Sequence, residues 1–210
     1  MVIGNWSLVM GLIGFCVQLL SSRGGFNLHI SWLDYYALPI TIRNRQPKID
    51  QSPMSKNRLF WIAASLGLFL DHLTKFWIVQ TFRLYETWPL WLGVFHFTYV
   101  RNTGAAFSLF PGAGWLRWLS LLVSIALMAY AWFGSRLPRW EQVGWGLILA
   151  GALGNGIDRF IAGSVVDFLD LRLINFPVFN LADVFINIGI VCLLIASLRQ
   201  VEAKGESDRK

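Results

Sequence analysis

The sequence predicts an all-α polytopic membrane protein: four core transmembrane helices, a small extracytoplasmic β-like cradle, and an optional extra helix at the N-terminus. Three observations predict it. The 210 residues are 55% hydrophobic and only 14% charged, with a mean hydropathy of +0.52, whereas soluble domains carry roughly 25% charged residues. Several apolar runs approach the ~20 residues that cross a bilayer. Eleven Trp and five Tyr suit helix ends at the headgroup level. The net charge of +6 and pI of 9.7 would suggest nucleic acid in a soluble chain. Here basic residues flank the spans and hold inner loops in place, so no nucleic-acid partner is expected.

Residues 2 to 20 form an uncharged apolar run without the basic head of a secretory signal. Residues 21 to 58 read as an irregular basic linker. From Ser55 the text becomes a short basic head feeding a span, which favours Met54 as the true start. The expected domains are therefore an N-terminal extension (1–53) outside the mature core, a membrane-embedded domain (54–200), and a disordered cytoplasmic tail (201–210).

The first core span is expected at about Leu59 to Gln80, with Lys56 and Arg58 marking the cytoplasmic side. It carries Asp71 and Lys75 at i,i+4, one helix face. Over 81 to 114, Phe95, Phe97 and Tyr99 alternate with His96, Thr98 and Val100, a period of two. This predicts an extracytoplasmic sheet or hairpin resting on lipid, with Asn102 at its bend. The second span, about Trp118 to Ser135, is uncharged and ends in the basic turn SRLPRW. The third, about Val143 to Ile157, is rich in Gly, which allows close helix contact. Asn155 and Arg159 lie at its outer end. Residues 160 to 178 read as β-like or irregular, and the last span as about Phe179 to Leu198. Asn180, Asp183 and Asn187 share a face at its outer end.

Polar residues are expensive in hydrocarbon and mark function by default. Asn155, Arg159, Asp167, Asn180 and Asp183 gather at one depth. One isolated Asp near a helix start would be read as a cap; the gathering argues for more. Two carboxylates around one water can hydrolyse a peptide without a nucleophilic side chain, because like charges so close share one proton. Asp167 and Asp183 are the candidate pair, and the sequence does not assign base and acid between them. No Ser stands with a His as a dyad, neither Cys has a nearby base, and no Cys/His cluster has metal spacing. No metal or cofactor is expected. A carboxylate pair in spans also suits a small proton-coupled transporter, and a structural scaffold is a third reading.

Five stretches carry a resemblance: DHLTK at Asp71 to Lys75, RNTGAAFS at Arg101 to Ser108, GNGIDR at Gly154 to Arg159, VVDF at Val165 to Phe168, and FNLADVFI at Phe179 to Ile186. In that order they resemble the lipoprotein signal peptidases, the type II signal peptidases, over about Lys56 to Leu198. The resemblance implies an aspartyl endopeptidase of the bacterial inner membrane. It would cut prolipoproteins before a diacylglyceryl-modified cysteine, near the outer leaflet, with both ends of the core cytoplasmic. It implies Asp167 and Asp183 as the catalytic dyad, and Asn155 and Arg159 as holding substrate and orienting the dyad. Asn180 would support them, Asn102 would contact substrate from the cradle, and Asp71 with Lys75 would form a polar pair beside the site. The expected partners are lipid-modified prolipoproteins, membrane lipid and globomycin-type inhibitors, and the chain is expected to act as a monomer. Two features depart from the family pattern: His72 stands where Gln is usual, and residues 1 to 53 match nothing in it.

Overall fold

The computed structural model describes residues 52–104 and 114–207. The N-terminal extension, its optional helix and the last three residues of the tail lie outside them. After a one-turn helix, Pro53–Lys56, four long helices follow: α1 (Arg58–Thr81), α2 (Trp115–Phe133), α3 (Arg139–Ala162) and α4 (Leu181–Ser207). Strands β1 (Thr87–Trp91) and β2 (Phe95–Asn102) lie between α1 and α2, and β3 (Val165–Leu171) lies between α3 and α4. The class is thus mostly helical with a genuine sheet, not all-α.

Among the described residues, three helices are long and apolar enough to cross a membrane: Arg58–Thr81, Trp115–Phe133 and Leu181–Glu202. α3 is as long as α1, at 24 residues, but less apolar, since it carries Arg139, Glu141, Asp158 and Arg159. Its place explains this. It packs against α1, α2 and α4, so most of its surface meets protein. Glycines make the contact close: a Cβ on Gly146 would lie 2.5 Å from the Phe60 carbonyl oxygen of α1, and one on Gly151 would lie 2.4 Å from that of Ala182 in α4. Helices pack this tightly through small residues because backbone can then meet backbone.

The end of the bundle away from the sheet is tied by side chains. Asn57, fully buried, donates from Nδ2 to the Ala131 carbonyl (2.9 Å) and accepts the Leu137 N–H on Oδ1 (3.0 Å). Gln142 accepts the Leu59 N–H (3.1 Å) and donates to the Leu137 carbonyl (2.7 Å). These bonds satisfy the Leu59 N–H in the first turn of α1 and backbone groups at the α2–α3 turn, which the helices cannot satisfy alone. At the other end, α3 stops at Gly163, whose φ of +67° is the left-handed conformation glycine adopts without strain.

The sheet runs β1-β2-β3, antiparallel throughout. Of residues 160 to 178, read from sequence as β-like or irregular, the first three complete α3, and the rest hold β3 and a single 3₁₀ turn, Arg172–Ile174. Val100 stands opposite Asp167 and Asn102 opposite Val165. Behind the sheet, Ile78 and Phe82 of the α1 end pack on Tyr99, Val166 and Phe168. This core fixes the sheet to the C-terminal end of α1.

The last helix corrects one expectation. It continues to Ser207, so residues 201–207 are helical and not a disordered tail. Glu, Ala and Lys extend an existing helix readily, because propagation adds one hydrogen bond per residue fixed. Just before them Gln200 donates to Glu141 Oε1 (2.6 Å) and Arg199 lies over the Trp140 ring, which holds the helix against α3.

Candidate active site

FNLAD leads into α4. Asn180 is its N-cap: Oδ1 accepts the Asp183 N–H at 3.1 Å, while Asp183 Oδ2 accepts the Asn180 N–H at 3.2 Å. This is a capping box with Asp in the third position, two orphan donors satisfied reciprocally. A third is met from α1, where Asp71 Oδ1 accepts the Ala182 N–H at 2.9 Å. Asp183 therefore does cap its helix, but with one oxygen only. The other, Oδ1, accepts from Asn155 Nδ2 at 2.8 Å.

Asp167 comes from β3 and is 2% exposed. Asn102, delivered by β2 across the sheet, donates to Oδ2 at 2.9 Å, and Asn180 Nδ2 donates to Oδ1 at 2.6 Å. Asn180 Nδ2 also reaches Asn155 Oδ1 at 3.0 Å. One chain of amides thus links Asn102, Asp167, Asn180, Asn155 and Asp183. Burial raises the Asp167 carboxyl, the neighbouring Asp183 charge raises it further, and the bonds from Asn102 and Asn180 oppose them; the result is a pKa pushed up to about 7.

The amides point one way for a reason. Lys75 Nζ donates to Asn155 Oδ1 at 3.0 Å. With Asn180 on the same oxygen, Asn155 Oδ1 has two donors, so its NH₂ group must face Asp183. Lys75 is itself held by Asp71 Oδ2 at 2.8 Å and Asp158 Oδ2 at 3.0 Å. It is 3% exposed, and Asp71 is fully buried; a buried cation between two carboxylates is the arrangement such a group needs. Arg159 donates to the Asn155 carbonyl (3.3 Å) and the Gly104 carbonyl (3.1 Å). Asn102 Oδ1 accepts the Gly104 N–H at 2.9 Å, so helix end and cradle end are held together.

All eight residues singled out from sequence therefore meet at the sheet end of the bundle. Asn187 shares the Asp183 face as expected, but it is exposed and donates to the Asp183 carbonyl at 2.8 Å. Asp158 was not assigned a role, although it belongs to the network: its Oδ2 also accepts the Val166 N–H at 3.4 Å, beside Asp167. Its position three residues after Asn155, inside the same polar turn, was the available signal. A carboxylate pair sharing one proton can take a proton from water and give one to a carbonyl oxygen.

Comparison with known proteins places this geometry in context. The family model described as signal peptidase (SPase) II matches residues 63–199. A lipoprotein signal peptidase of Trichormus variabilis is 68% identical over 146 residues, 69% of this chain and 92% of that one. One of Microcystis aeruginosa is 69% identical over 144 residues, covering 68% and 93%. One of Synechocystis sp. is 59% identical over 155 residues, covering 72% and 94%. A solved bacterial membrane enzyme, determined in meso at 2.3 Å resolution, matches with a TM-score of 0.64 and 31% identity over 69% of this chain and 90% of that one.

Proposed function

Because the chain belongs to the signal peptidase II family and removes signal peptides from prolipoproteins, we propose that it does so as an aspartyl endopeptidase with Asp167 and Asp183 as its dyad. The observation that carries this reading is the unbroken amide chain from Asn102 to Asp183, which serves both carboxylates. The transporter alternative has no support from the relatives.

In this mechanism a water lies between the two carboxyls. The ionised member takes its proton as the oxygen attacks the scissile carbonyl, and the protonated member polarises that carbonyl. Asn155, Asn180 and Asn102 hold the carboxyls in place without charge of their own. The Lys75–Asp71 pair fixes the amides, and Arg159 offers a cation beside the substrate backbone.

The same reading places four spans in a bacterial inner membrane. α3 is the fourth, since 24 residues reach ~36 Å against a hydrocarbon core of ~30 Å, and its polar groups are sheltered by the other three. Lys56, Arg58, Arg136 and Arg139 hold the inner side. The site then opens near the outer leaflet, where a diacylglyceryl-modified cysteine can arrive from lipid. The enzyme works as a monomer, is blocked by globomycin-type cyclic peptides, and has its functional core from Met54 onward.

The test is cleavage of a lipid-modified precursor by the purified chain, with and without a globomycin-type inhibitor. Asp167→Asn and Asp183→Asn should each lower the rate by about 10³-fold or more while the protein still accumulates in the membrane. Near-normal cleavage by both variants would remove the dyad.

A further inference from the structure

The two ends of the bundle treat their cations differently. At the sheet end Lys75 lies between Asp71 and Asp158, and Arg172 pairs with Asp170. At the other end Arg58, Arg136 and Arg139 are all exposed. Among the described residues, none of these three guanidinium groups has an ion pair or a hydrogen bond. They are gathered, not scattered. Asn57, next to Arg58, accepts the N–H of Leu137, next to Arg136. Gln142, one turn past Arg139, accepts the Leu59 N–H. Lys56 donates to the Gly134 carbonyl and adds a fourth charge. Like charges brought together repel, and the described carboxylates nearby do little to offset them. Glu141 is buried and bonded to Gln200, and Glu202 lies further along α4.

The same place has an apolar half. From Arg58 an exposed column runs along α1 through Ile62, Leu66 and Phe69, which are 46%, 57% and 62% exposed, on a helix apolar enough to span a bilayer. From Arg58 to Phe69 it extends roughly 16 Å, close to one leaflet of a ~30 Å hydrocarbon core. Trp132 in the last turn of α2 and Trp140 in the first turn of α3 are both exposed, as indole rings are at a membrane–water boundary. Arg199 stacks over the Trp140 ring. Unpaired cations therefore stand directly above a lipid-facing apolar surface, at the level where headgroups lie.

We propose that this end of the bundle binds an anionic phospholipid, with its phosphate held by Arg58 and Arg136, Arg139 beside them, and one acyl chain lying along Ile62, Leu66 and Phe69. Guanidinium forks suit phosphate oxygens two at a time, and basic pockets between spans take such headgroups. The occupant is a lipid, not a free phosphate or an acidic protein, because the charges top an apolar column that only a molecule with an apolar tail can cover. The bound headgroup supplies the negative charge that the fold leaves out, and it ties the start of α1 to the α2–α3 turn. The site needs α1 to cross the bilayer and needs none of the peptidase chemistry.

The experiment is thermal unfolding of the full chain in an uncharged detergent, with dioleoyl phosphatidylglycerol, dioleoyl phosphatidylcholine or inorganic phosphate added. Phosphatidylglycerol should raise the melting temperature to a plateau, and the other two should not. Arg58→Gln and Arg136→Gln should each raise the lipid concentration needed about fivefold, and together about thirtyfold. Both residues are exposed, so the melting temperature in detergent alone should change little. Arg83→Gln, which removes an exposed cation at the sheet end, should leave the response intact. Equal shifts from the two lipids, an equal shift from inorganic phosphate, or an undiminished response in the single variants would overturn the proposal.

Discussion

At the scale of single residues, the site is a set of constraints on two carboxyls. Asp167 has a folded pKa of about 7 against an ordinary value of 3.8. The folded chain therefore holds this proton more tightly than the unfolded chain. Its contribution to stability is full below about pH 4 and is lost as pH rises through 7, by at most roughly 4 kcal/mol. Thermal unfolding in detergent should show stability falling across that window, and Asp167→Asn should flatten the slope. Cleavage should fall on the alkaline side as the pair gives up its shared proton, since the two titrate together. Asn180 has two separable duties, capping α4 through Oδ1 and serving Asp167 through Nδ2. Asn180→Ser keeps a cap and loses the amide, so activity should drop with the melting temperature nearly unchanged. Asn180→Ala loses both, and unfolding should register about 1 kcal/mol less stability.

At the scale of elements, the ends matter more than the middles. The network takes Asp71 and Lys75 from α1, Asn155, Asp158 and Arg159 from the last turns of α3, and Asn180 and Asp183 from the start of α4. Their alignment depends on how closely α3 lies against α1. A Cβ on Gly154 would stand 2.3 Å from Asp71 Oδ2, so Gly154→Ala must displace the carboxylate that holds both Lys75 and the Ala182 N–H. We expect a loss of about 1–3 kcal/mol in unfolding and a disproportionate loss of cleavage. The helices themselves were legible because long apolar runs broken by basic turns admit few other readings. The sheet was only half legible. Phe95, Phe97 and Tyr99 announced a strand by alternation, and Leu169 and Leu171 around Asp170 hinted at another, but Val165 to Phe168 is buried on both faces and lacks that signal. Its partner lies across α2 and α3 in sequence, so nothing local gave the register that sets Asn102 over Asp167.

At the scale of the whole molecule, the candidate site was legible because polar groups in a bilayer are few and each stands out. What the chain's order could not convey is which donor meets which acceptor. Asp158 escaped for that reason: its meaning lies in Lys75 and Val166, both supplied by other elements. The described residues from Ser52 onward form the bundle with its own core, and every site residue lies within them. A chain beginning at Met54 should therefore insert and cleave at the full rate, as membrane fractionation and a precursor assay would show. The capping of Asp183 by Asn180 and of Ala182 by Asp71 has a consequence for biosynthesis. In the proposed mechanism the dyad needs the first turn of the last helix, and that turn takes a carboxylate from the first. While the ribosome is still extending the chain, Asp167 waits without its partner. On that mechanism the nascent protease is inert among the other apolar segments entering the membrane beside it, and it acquires its activity in the final step of its own insertion.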